Sequence, residues 1–83
     1  MKFELTGHAQ KVLQERGISV EWMERTLSAP EWVLPDPEDA AVERRLRRMP
    51  EFGGRALRVA VNTEVDPNRV VSVFFDRQMR GEL

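Results

Sequence analysis

Two helical patterns followed by a run of strands predict an α+β domain, with two N-terminal helices packed on one face of a three- to four-stranded antiparallel sheet. Three observations carry this prediction. Apolar residues recur at helical spacing between Thr6 and Ser28 and then stop. Apolar and polar residues alternate from Arg55 to Thr63, and the run Val70–Asp76 behind it is the most apolar strand candidate. The chain has 83 residues, room for one domain (1–83) around one modest core, because a chain this short buries only about 60% of its unfolded surface.

The first helix is predicted over 7–16. Thr6 offers an N-cap oxygen, Ala9, Val12 and Leu13 share a stripe, and Gly17 tolerates the left-handed conformation that ends a helix. The second runs over 20–28, capped by Ser19, with Ile18 and Met23 placed as a hydrophobic staple. Its buried stripe is Trp22, Met23, Thr26 and Leu27, and Pro30 stops it. Strands are predicted at 31–34, 41–49, 55–63 and 69–76, although Ala41–Met49 can also be drawn as a basic helix. The proline- and acid-rich stretch Pro35–Asp39 reads as a loop, Pro50–Gly54 and Asp66-Pro67-Asn68 as turns, and residues 77–83 as a polar tail. Trp22 and Trp32 are most simply core residues.

Alternation assigns faces. The helices should cover Leu57, Val59, Val61, Val71, Val73 and Phe75, leaving Arg58, Asn62, Ser72 and Phe74 around the small Ala60 on the other side. If Val42 and Leu46 point inward, Arg45 and Arg47 turn outward with Glu43 and Met49. The expectation is an open sheet face bearing arginines and one aromatic ring, which reads as a binding surface. A register slip of one residue would exchange the two faces.

Composition removes several classes of function. With no cysteine there is no disulfide framework, thiolate zinc site or cysteine nucleophile, and a single histidine excludes the usual multi-histidine metal centres. The expectation is therefore no metal and no cofactor. No apolar run approaches the roughly 20 residues needed to cross a bilayer, and Met1-Lys2-Phe3-Glu4 lacks the layout of a signal peptide. A soluble, cytoplasmic domain without a membrane partner is expected. Net charge is −1, but residues 1–40 carry four basic residues against eight acids, and residues 41–83 carry nine arginines and no lysine against six acids. That balance argues against a general electrostatic trap for nucleic acid and leaves room for a local arginine face suited to bidentate contacts.

The order of short motifs resembles a family of domains of unknown function, number 4258. The residues that carry it are Thr6-Gly7-His8-Ala9, Glu15-Arg16-Gly17-Ile18-Ser19 and Ala29-Pro30-Glu31-Trp32-Val33 in the first half. In the second half they are Gly54-Arg55-Ala56-Leu57-Arg58-Val59-Ala60-Val61 and the stretch from Val70 to Gly81. More loosely, Glu43-Arg44-Arg45 and the Gly54-Arg55 strand resemble BrnT toxins. The resemblance implies a RelE/barnase-like ribonuclease fold and, by analogy, metal-independent RNA cleavage by the toxin half of a toxin–antitoxin pair. Two departures stand out: BrnT toxins have a histidine where this chain has Arg16, and RelE-like ribonucleases often use tyrosine or lysine, whereas this chain has no tyrosine.

Metal-free RNA cleavage needs a proton acceptor for the ribose 2′-hydroxyl, a proton donor for the leaving oxygen and positive charge at the phosphate. His8 is the only side chain with an ordinary pKa near neutrality, and its place in a helix's first turn also suits backbone amides that bind phosphate. Arg58 could hold the phosphate, Arg45 and Arg47 the flanking backbone, Phe74 a stacked base, with Arg77 as a further RNA contact. Asp76 is either a second acid–base group or an ionised structural carboxylate beside Arg77. The plainer readings stand beside these. A first-turn histidine usually caps or packs, Arg44, Arg45, Arg47 and Arg48 can shield an edge strand or pair with acids, and Arg16 compensates the C-terminal dipole of its helix. Two functions are thus expected from different classes: a metal-independent endoribonuclease using His8 and Arg58, or a non-catalytic module offering its arginine face to RNA or to an acidic protein partner such as an antitoxin.

Overall fold

Both helices form where their caps place them. In a computed structural model that describes residues 3–76, Thr6 accepts a hydrogen bond from the N–H of Ala9 at 3.1 Å and starts α1 (Gly7–Arg16). Gly17, at φ 61°, ends α1 in the left-handed conformation, its N–H reaching back to the last turn. Ser19 accepts from the N–H of Glu21 and opens α2 (Val20–Ser28). The remaining elements are β1 (Phe3–Leu5), β2 (Trp32–Pro35), β3 (Val42–Met49), a short 3₁₀ turn at Pro50–Phe52, β4 (Arg55–Asn62) and β5 (Asn68–Asp76).

The sheet has five strands in the order β1-β5-β4-β3-β2, and it is mixed rather than wholly antiparallel. The added strand, β1, runs parallel to β5 and pairs Phe3, Glu4 and Leu5 with Asn68, Arg69 and Val70. Three residues are too few for a period to show, and their partner lies at the far end of the chain. β2 through β5 form the antiparallel meander expected.

Register corrects the face assignment. Directly opposed residues of an antiparallel pair share a face, and Leu46 stands opposite Arg58, with Arg45 opposite Val59 and Arg47 opposite Leu57. Arg45 and Arg47 therefore lie on the helix side, not on the open face. Leu46 is fully buried on the face without helices, flanked by Trp32 of β2 and Arg58 of β4. A second correction concerns β5. Ala60 pairs with Ser72 and Val61 with Val70, so a bulge skips Val71, and Val70 rather than Val71 enters the core.

The core joins Ala9, Leu13, Met23 and Leu27 of the helices to Leu57, Val59, Val61, Val70 and Val73 of the sheet. Arg45 and Arg47 close its rim. Their guanidinium groups donate to the carbonyls of Leu27 at 2.9 Å and Ala29 at 2.7 Å, satisfying acceptors that the end of α2 leaves open and placing positive charge at its negative pole. Among the described residues, no helix is long and apolar enough to cross a membrane.

Candidate functional site

The helix-free sheet face is rich in arginine but balanced in charge. Arg58 meets Asp76 at 3.2 Å, Arg44 meets Asp36 at 3.4 Å, Arg48 meets Glu31 at 3.4 Å and Arg69 meets Glu4 at 3.3 Å. Arg58 also lies over the Phe74 ring, 4.0 Å from its centroid. Burial lowers the Arg58 pKa and neighbouring Arg44 lowers it further, against the pull of Asp76 and Asp36. The acids are held just as firmly. The carboxyl of Asp36 sits below its ordinary range because the N–H of Glu38 donates to it, with Arg44 adding to the effect, and that of Glu31 does so because the backbone N–H of Arg48 donates at 2.7 Å. These pairs tie the β2 segment to β3 and leave little unspent positive charge for a ligand.

A groove on the other border of the sheet differs. His8, Val12 and Arg16 recur every four residues along α1, hence on one stripe, and they face Ser72, Val73 and Phe74 across a cavity of about 330 Å³. Arg16 also lines a smaller cavity of about 160 Å³ with Phe52, Arg55 and Phe75. Phe52 and Arg55 continue in turn into a shallow depression with Glu51 and Gly53. Arg16 lines the first two hollows, and Phe52 and Arg55 the last two, so the three adjoin one another from His8 to Glu51.

Aromatic rings floor the groove's far end. Phe52 and Phe75 stack with centroids 4.4 Å apart and 21° between planes, and Trp22 meets Phe75 edge-on at 6.1 Å. Phe52 stays 41% exposed, held out by the tight turn that Gly53 and Gly54 make at positive φ. Arg55 reaches over the Phe52 ring at 5.4 Å. The side chains of Arg16 and Arg55 make no ion pair and no hydrogen bond with any described residue. At the rim, Glu51 accepts from Arg25 at 3.0 Å, and its carboxyl lies below its ordinary range through its own backbone N–H first and Arg25 second.

Of the residues singled out from sequence, His8 and Phe74 come together in this groove. Arg58 adjoins Phe74 from the sheet face, so one ring touches both surroundings. His8 is exposed and makes no hydrogen bond with a described residue. Arg45 and Arg47 lie at the end of α2, away from either surface, and Arg77 falls outside the described residues. Sequence reasoning passed over Phe52, Arg55 and Phe75. An aromatic residue placed before two glycines and an arginine, within a turn, was the available signal. For Arg16 the sequence offers a role at the C-terminal dipole of its helix and the departure from BrnT toxins.

Over residues 5–75 the chain matches the family described as Domain of unknown function (DUF4258), and it belongs to that family. No curated protein and no solved structure matches it significantly.

Proposed function

We propose that this member of a family of unknown function is an RNA-binding domain that engages a single strand along the groove between α1, β5 and the β3–β4 turn. One observation carries the reading: the two described arginines without a hydrogen bond or ion pair, Arg16 and Arg55, line the same cavity as the stacked rings of Phe52 and Phe75. Unpaired guanidinium groups fit phosphates, and an exposed ring accepts any base on its face. The arginines of the sheet face have spent their charge on acids of the same chain, which disfavours that face as the contact surface.

Filter binding of a mixed single-stranded RNA tests this. Phe52→Ala should weaken binding by about 1–3 kcal/mol, the usual worth of a stacked base. Arg16→Ala and Arg55→Ala should each lower the slope of log K against log salt by about 0.7, the value for one phosphate contact on a single strand. Equal binding by all three variants would contradict the reading.

A second reading adds chemistry, and the position of His8 in the same groove as Arg16 favours it. On this reading the domain is a metal-independent endoribonuclease, the toxin half of a toxin–antitoxin pair. His8 takes the proton of the ribose 2′-hydroxyl while the 2′-oxygen bonds to phosphorus, the bond from phosphorus to the 5′-oxygen breaks, and water or a protonated group returns a proton to that oxygen. Arg16 is then the cation that shares the cavity with the base, whereas Arg58 is occupied by Asp76. Incubation with RNA in EDTA, resolved on a sequencing gel, separates the two. Discrete products lost in His8→Ala mean cleavage; a salt-sensitive mobility shift without products means binding alone.

A further inference from the structure

Charge changes along the groove. Arg16 and Arg55 line one small cavity with the rings of Phe52 and Phe75. The acids nearest to them in sequence are engaged elsewhere: Glu15 meets Lys11 at 3.9 Å, and Glu51 meets Arg25 at 3.0 Å. The cavity therefore gathers two positive charges, of which the C-terminal pole of α1 beside Arg16 offsets only about half of one. A phosphate inside a strand carries one negative charge. A terminal phosphate monoester carries about two at neutral pH and offers three acceptor oxygens. Two planar guanidinium forks match that dianion in both charge and donors.

Beyond this cavity the sign reverses. Glu51 lines the next hollow with Phe52, Gly53 and Arg55, and Arg25 serves Glu21 at 3.2 Å as well as Glu51. One cation between two carboxylates leaves that rim negative, and Glu51 stays ionised, held below its ordinary range by its own backbone N–H and by Arg25. A strand that continued past Phe52 would carry its next phosphates toward these acids. On the other side, the cavity that Arg16 shares with His8, Val12, Ser72, Val73 and Phe74 is lined by no acid. The backbone is favoured to leave on that side.

We propose that the domain selects the phosphorylated end of a single strand. The terminal phosphate monoester sits between Arg16 and Arg55, its nucleotide lies against Phe52, and the rest of the strand runs toward His8 and Phe74. This selection rests on the RNA reading and narrows it from any stretch of a strand to its end. The 5′ and 3′ ends share the chemistry. A phosphoserine peptide brings the same dianion, but it has no base for the exposed ring of Phe52, so a nucleic acid is favoured.

Displacement of a labelled single-stranded RNA from the full chain tests the proposal, with unlabelled competitors of one short, unstructured sequence. The competitors end in a 5′-phosphate, a 3′-phosphate, the methyl ester of either phosphate, or hydroxyls at both ends. One of the two monoesters should compete about tenfold better than the hydroxyl strand. Its methyl ester, with a single charge, should fall back to within about threefold of that strand. The double variant Arg16→Ala, Arg55→Ala should erase the difference while circular dichroism shows it folded. Equal competition by all strands would overturn end selection and leave the RNA reading standing. A preference that survives in the folded double variant, or a phosphoserine peptide that displaces the RNA better than either phosphorylated strand, would also overturn end selection. A labelled RNA that never binds would sink the RNA reading, and end selection with it.

Discussion

The two surfaces that carry arginine differ in what the arginines are doing. On the helix-free sheet face, Arg44, Arg48, Arg58 and Arg69 each meet an acid of the same chain. In the α1–β5 groove, Arg16 and Arg55 meet none and stand beside aromatic rings. The number of arginines favours the first surface as a binding site, and their pairing favours the second. Charge that already has a partner contributes to the fold, and only what is left over is available to a ligand.

If the sheet-face pairs hold the fold, breaking them should cost stability. The largest effect is expected at Arg58. Its side chain is 20% exposed and that of Asp76 only 11%, so Arg58→Ala removes a charge-assisted partner from a largely buried carboxylate, at a cost of about 2–3 kcal/mol. Thermal unfolding should show this as a drop of about 8 °C or more. Unfolding of Arg58→Ala at the parent temperature would mean that the pair is decorative.

Arg47→Ala comes next. It removes the donor to the Ala29 carbonyl at the end of α2, and urea denaturation should register a loss of about 1–2 kcal/mol. Retained stability would remove this arginine from the fold and return it to the pool of binding candidates.

Acid should act on the same pairs. Glu31, Asp36 and Glu51 are held below their ordinary carboxylate values in the folded chain. The unfolded state therefore binds more protons as pH falls, and the stability these groups contribute, full above their ordinary values, is lost as pH drops through their lower folded values. Unfolding midpoints should be flat from neutrality to about pH 5 and fall below about pH 4. A midpoint that rises on acidification would contradict the pairing.

The smallest effect on stability belongs to the groove. Arg16→Ala and Arg55→Ala should each stay within about 0.5 kcal/mol of the parent, as surface changes that break no ion pair or hydrogen bond do.

What the sequence made legible divides along the same physical line. The helix boundaries follow from signals within a few residues of the ends, namely Thr6, Gly17 and Ser19. The sheet's second half was readable because β4 and β5 alternate. β3 was not, since it buries Leu46 on one face and Met49 on the other. Its apolar residues thus gave no single inward parity, and Arg45 and Arg47 were sent to the wrong side. β1 escaped because three residues have no period and pair with the distant end of the chain. For the site, His8 and Phe74 could be picked by residue type, but which arginines lack partners depends on tertiary contacts between residues as far apart as Glu4 and Arg69. No local pattern encodes that.

The central claim is that the unpaired arginines, not the paired ones, form the contact surface. It is tested most directly by the affinity of single-stranded RNA for two double variants at matched, moderate salt. Arg16→Ala, Arg55→Ala should lose about tenfold or more with the fold intact, in keeping with two lost phosphate contacts. Arg44→Ala, Arg48→Ala should bind as the parent does, provided circular dichroism shows it folded. Undiminished binding in the first pair together with a loss in the folded second pair would move the site back to the sheet face and contradict the account.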